Sequence, residues 1–581
     1  MPPLASSECY PSNHMTTANP DHPPYDNDAI LSANFPERVR LVCRTWASQI
    51  NPNSPALIAM YWAKYLFGFI GGWAFFVSFS AGYPGFGSPL EWAFMGVAFQ
   101  KALAWAIFYE LCGFGCSWGP MSSRISPMTL GFRHFLRPGT TKLPLFAGIP
   151  IFGGNTRSYF DVGLYAANQL CLLYALVQPE ITPALLMPSF ILIPLMGLTD
   201  KTLFLAARSE HYYVALVCLT VASGDALWIS ACKMVWCAVW FWAATSKVNH
   251  HFPYVIMFMM NNGPFFPSFL KKYLFISFPD DLRPSKMATW MSHMGTLTEY
   301  SIPILLLLSP DPLLTLLVMC LALSFHGYIA FNCPAGMPIE WNIVMVYGGF
   351  FLFVFNPGAS VTALAVMPGL VAFLVLTLVV QQLVGNFFPQ HVSFLMSMRY
   401  YAGNWAYNIW FFRGDSVEKI KKLKLASGTL QEQLEGVMPE DAPEGTVETT
   451  LAMSMAMRFM HLQGRPMFEA LPRAVDNLEN YERHEGEVIG GQILGWNFGD
   501  GHLNGKHLLK SIQPQCEFEE GELRVVSVES QPLFGGTMKW EIHDAKTGLV
   551  DQGTTVMAPM RELQPWPVGE HAEAFLRGRS D

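Results

Sequence analysis

TALAVMPGLVAFLVLTLVVQQL, residues 362–383, runs for 22 residues without a charge. That is about the length a helix needs to cross a hydrocarbon core of roughly 30 Å. Working outward from it, comparable runs lie at 56–80, 92–116, 162–177, 184–198, 287–308, 313–331 and 341–355. The stretch 212–246 holds either one long span or a tight pair broken at Ser223, Gly224 and Asp225. The whole chain agrees with a lipid environment: of 581 residues 51% are hydrophobic and only 14% charged, where a soluble domain carries roughly 25% charge. The expected fold class is an all-α polytopic membrane bundle followed by a small soluble α+β domain.

Charge distribution sets the expected topology. Lys and Arg gather at 38–44, 124–142, 201–208, 271–286 and 413–424, while the loops near Pro310 and Pro357 carry none. Under the positive-inside rule the charged loops are cytosolic, which requires an even number of crossings between Arg208 and Lys271. The pair at 212–246 then gives about ten spans with both termini cytosolic, in a cell membrane. The first residues lack an apolar h-region, so no cleavable signal is expected. Residues 1–55 are expected to form a disordered N-terminus ending in a basic interfacial helix, and 56–390 the transmembrane domain. Residues 391–430, with Tyr401, Trp405, Tyr407, Trp410 and then Val417, Ile420 and Leu423 among lysines, suggest interfacial aromatic and basic helices. Residues 431–581 are expected to be a cytosolic α+β domain. It should have a helix near 447–462, strands near 486–496 and 522–529, and a hairpin in which Met538, Trp540 and Ile542 alternate with Lys539, Glu541 and His543.

Several function classes are excluded or weakened. A net charge of -8 without a basic stripe argues against nucleic acid. Among 11 cysteines no CxxC pairing offers a zinc clamp. Only His250 and His251 are adjacent, so the histidine boxes of membrane di-iron enzymes are absent, and no GxxxxGK[ST] phosphate loop occurs. The sequence leaves the cofactor unknown.

Ionisable groups at membrane depth cost on the order of 2.5 to 3.5 kcal/mol even on lenient scales, so each needs a reason. Lys101 and Glu110 are nine residues apart, on opposite faces of one helix, and must find partners elsewhere. Lys233 and Lys247 share a face, with Asp225 upstream as a candidate counter-ion, and Lys247 could also snorkel to the interface. Glu299 lies mid-span, where snorkelling does not explain it, and His326 lies mid-span on another helix. Lysine, carboxylate and histidine on three spans could form a proton-handling site, or pair structurally. Asn497, Asp500 and His502 in GWNFGDGHL (495–503) could line a polar site or mark a Gly-rich turn between a strand and a helix at 506–511.

RPGTTKLPLF (137–146), RYYAGNWA (399–406), MHLQGR (460–465) and GWNFGDGHL resemble an uncharacterised family of multi-pass membrane proteins found mainly in mycobacteria and other actinobacteria. More distantly, AATSKVN (243–249), the acid at Glu299 and SFHGYIAF (324–331) resemble the HTTM membrane domain of the vitamin K-dependent gamma-carboxylase superfamily, which would place an HTTM-like core at about 211–356. That resemblance implies Lys247 as a base toward a lipophilic acid, with His326 matching a histidine of the pattern. The expected partners are membrane lipids, a lipophilic small molecule and a protein bound by the C-terminal domain, but not nucleic acid.

Overall fold

The computed structural model describes residues 26–48, 55–115, 131–149, 151–263, 266–308, 311–332, 339–400, 402–435 and 442–576. The expected disordered leader at 1–25 and the part of the basic loop at 124–130 lie outside the described residues.

Four helices among them are long and apolar enough to cross a membrane: Tyr159–Val177, Asp225–Ser246, Pro312–Asn332 and Pro368–Phe387. They differ in what surrounds them. Asp225–Ser246 has 78% of its apolar window buried inside the protein, which makes it the axis of the bundle, whereas Pro312–Asn332 has 28% buried and leaves Leu313, Leu317 and Leu323 exposed. Since no water-soluble fold leaves such a face bare at no cost, the outward leucines mark the side meant for lipid. Shorter apolar helices, Pro183–Thr199 and Glu340–Phe355 among them, fill the spaces between. The stretch 212–246 is broken: one helix ends at Val221, Gly224 takes a φ of 94°, and the next begins at Asp225.

The sheets are small. β1 (Phe275–Ser277) and β2 (Asp281–Pro284) pair as a hairpin. β3 (Tyr407–Arg413), β4 (Tyr481–Glu485), β5 (Leu523–Val528), β6 (Thr537–Asp544) and β7 (Gly548–Val556) form one antiparallel sheet in the order β4-β3-β5-β6-β7. The expected β6–β7 hairpin is present, with Met538, Trp540 and Ile542 buried on one face.

Several expectations are corrected. The aromatic segment after the last apolar run is not an interfacial helix: it is β3, an inner strand with neighbours on both edges. Trp410 and Phe412 pack into the core shared with the bundle, while Tyr407, Ile409 and Phe411 pack into a second core on the other face. With both faces buried the strand loses the apolar-polar alternation that would have revealed it. The sheet domain accordingly begins near residue 407 rather than 431. The basic stretch behind it, Gly414–Lys422, is a 3-10 helix whose Val417 and Ile420 are buried in protein, with Lys419 paired to Glu522. The helix Phe35–Ser48 exists, and its apolar face is covered by protein. Phe35, Val39, Val42 and Cys43 are buried against Phe459, Met460 and other residues of the C-terminal domain, and Arg38 bonds Glu479 at 3.2 Å. Lastly, the strand expected at 486–496 is the helix Gly486–Leu494.

The basic segments share one end of the molecule. His134 bonds the Ile493 carbonyl (3.0 Å), Lys201 contacts His507 (3.1 Å), Arg283 pairs with Glu562 (3.1 Å) and Lys424 donates to the Pro138 carbonyl (2.7 Å). All of these contacts join the membrane part to the sheet domain. At the other end, the uncharged loop near Pro357 caps the start of Asp225–Ser246 through Lys233.

Candidate functional site

Lys247 is the C-cap of the axial helix Asp225–Ser246, and Glu299 lies in the middle of Lys286–Leu308. The two helices are held in register by the Tyr300 hydroxyl, which donates to Thr245 Oγ1 at 2.8 Å. The Lys247 ammonium donates to Glu299 Oε2 in a buried ion pair, each side chain 4% exposed, and the Phe252 ring lies 5.3 Å from the ammonium. So the lysine is not snorkelling into water, and the carboxylate does not face lipid. Removing one partner of such a pair leaves a bare buried charge, at a cost of about 3 to 5 kcal/mol.

His326 is buried nearby but is not bonded to this pair. Its Nε2 accepts the indole N–H of Trp240 at 2.9 Å, and its Nδ1 faces Asn342 Oδ1 at 2.7 Å. An indole N–H can only donate, so Nε2 must be unprotonated and Nδ1 carries the hydrogen to Asn342. The ring is therefore a neutral imidazole in a fixed tautomer.

The remaining candidates resolve individually. Lys101 donates to the Phe76 carbonyl (2.9 Å) and Lys233 to the Asn356 and Ala359 carbonyls (2.9 and 2.6 Å), so both cap backbone at buried turns. Asp225 is not the counter-ion of Lys233: it accepts from the Trp228 indole at 2.9 Å. In the GWNFGDGHL segment Asn497 Nδ2 donates to the Glu487 carbonyl, Asp500 caps the amide of His502, and Gly495 takes a φ of 82° at a helix end. The segment is a turn between two helices rather than between strand and helix. His502 itself pairs with Glu529 at 2.8 Å.

Glu110 belongs to a larger set of buried charges that sequence reasoning missed. Lys64 pairs with Glu340 at 2.7 Å, Arg208 Nε donates to Glu210 at 2.8 Å, and Glu110 faces Arg208 Nη1 at 3.8 Å. Glu210 also accepts from the Tyr400 hydroxyl at 2.6 Å, and the Tyr400 ring stacks on Trp341 at 5.0 Å. Glu340, Trp341 and Asn342 are consecutive, so one helix start joins these charges to His326. Lys64 stands in the middle of the apolar run 56–80, and the cost argument applied to it would have found the cluster. Glu210 and His211 were hidden in what reads as a basic loop.

These features define a helical membrane protein with a buried polar interior and an antiparallel sheet domain packed against one end. The chain belongs to the family described as transmembrane protein of unknown function (DUF3556), whose sequence model matches residues 15–574. No curated protein and no solved structure matches it.

Proposed function

We propose that the protein is an intramembrane enzyme acting on a lipophilic substrate of the quinone, polyprenyl or other lipid class, in a form that carries an acidic O–H such as the quinol, with Lys247 as base and Glu299 as its electrostatic partner. The buried Lys247–Glu299 pair carries the proposal. In low dielectric an ammonium beside a carboxylate is poised to give up its proton to that carboxylate, because the neutral pair needs no solvation. The amine so formed takes the proton of a substrate O–H, and the substrate anion is held beside the new ammonium. His326, fixed by Trp240 and Asn342, acts one layer away and does not take that proton directly. The proposal includes an HTTM-like core at about 211–356, about ten spans, and both termini on the cytosolic side of a bacterial cell membrane. The gathering of basic segments at the sheet-domain end supports that orientation.

The second reading is a lipid carrier or a scaffold that recruits a partner through the sheet domain. It draws on Lys101 and Lys233, charges of the same bundle that serve only to cap backbone. Lys247→Arg separates the two. Arginine keeps the charge and the pair but cannot act as a base. The enzyme reading expects normal expression and membrane insertion with complete loss of complementation in a deletion strain. Full complementation would leave the carrier or scaffold.

A further inference from the structure

The cluster around Glu110 has a charge imbalance that the other interactions do not resolve. Arg208 is bonded through Nε to Glu210, and Glu210 Oε1 also faces the Tyr400 hydroxyl and His211 Nδ1 at 3.2 Å. That pair is complete and charged, since guanidinium does not lose its proton. Lys64 and Glu340 form a second complete pair. Glu110 is left over. It is 1% exposed, neither of its oxygens has a hydrogen-bond partner among the described residues, and the nearest cation among them is Arg208 at 3.8 Å, which is also bonded to Glu210. Among the described residues the charged groups that act most on Glu110 are those two pairs, each neutral in sum, while His211 is turned toward Glu210.

We propose that Glu110 is a proton-binding site, holding an exchangeable proton at neutral pH inside the membrane part. An ionised carboxylate with no hydrogen bond costs several kcal/mol in such a place, and a proton removes that cost. A metal cation would remove it too, but cations take several oxygen ligands, and here the Arg208 guanidinium, with Nη1 3.8 Å from Glu110 Oε1, would repel one. The hydroxyls of Tyr109 and Tyr212 are buried, without hydrogen-bond partners, and within electrostatic reach of Glu110. The site is separate from Lys247 and Glu299, so either can fail without the other.

The test is infrared difference spectroscopy on the purified full chain in lipid nanodiscs. Glu110→Gln mimics the neutral acid and should fold. It should delete one protonated-carboxyl C=O band that is present in the wild type at neutral pH and shifts on exchange into D2O. Two results would overturn the proposal: loss of an ionised-carboxylate band instead, or conversion of the protonated band to an ionised one on adding sodium or potassium chloride. If Glu110→Gln gives no monodisperse protein, Glu110→Asp serves. A protonated band at a shifted frequency supports the site, and an ionised one refutes it.

Discussion

Glu299 is a carboxylate halfway along a 23-residue helix, and its need for a partner was legible from cost, whereas Lys247 as that partner came from the resemblance carried by AATSKVN. His326 was legible as buried but not its tautomer, which depends on an indole 86 positions away. Asp225 was misjudged because a residue three positions on, Trp228, offered an N–H that sequence spacing alone did not favour over a lysine. The residue-scale prediction concerns His502. Burial works against its charge, yet the Glu529 carboxylate outweighs burial and lifts its pKa to about 9. A pKa above the ordinary 6.5 means the pair contributes its full stability below that value and loses it as pH rises toward 9. The contribution is limited to about 1.4 kcal/mol per pKa unit. Thermal melts between these limits should show the wild type losing stability with rising pH and His502→Gln nearly flat. Parallel slopes would show that the pair is not linked to folding.

At the scale of elements, apolar runs and the β6–β7 hairpin were legible because each carries its own period. β3 was not, since its two buried faces erase the period, and Gly486–Leu494 was read as a strand from β-branched residues that its packing overrides. The helix Phe35–Ser48 shows the same limit: its basic face suggested lipid, but its apolar face docks on Thr446–Met460. That docking is testable. Val42 is fully buried there, so Val42→Asp should cost on the order of 3 kcal/mol and release the helix. Hydrogen exchange should then accelerate in 35–48 and in 446–460 while the bundle stays protected. Unchanged exchange in both segments would contradict the docking.

For the molecule as a whole, the division into an apolar bundle and a polar C-terminal domain was readable from composition. The contact between them was not, because it is made by residues far apart in sequence: His251 with Gln531 (2.7 Å), Arg399 with Ser530 (2.9 Å), and Arg157, held by Asp200 of the bundle (2.6 Å), with the Leu494 carbonyl (3.4 Å). This contact ties the sheet domain to the end of the axial helix that carries Lys247, so the proposed site lies where bundle and domain meet. The most direct test of its role is native mass spectrometry of protein purified gently in its own lipids, comparing the wild type with Glu299→Gln and Lys247→Arg. If the pair holds a lipophilic acid, one such molecule should be retained by the wild type. Its occupancy should rise by at least about tenfold in Glu299→Gln, equivalent to about 1.4 kcal/mol of binding, because the ammonium then has the substrate anion as its counter-ion, and persist in Lys247→Arg, where the cation remains. Identical lipid profiles in all three proteins would contradict the claim that this buried pair is a binding and reaction site.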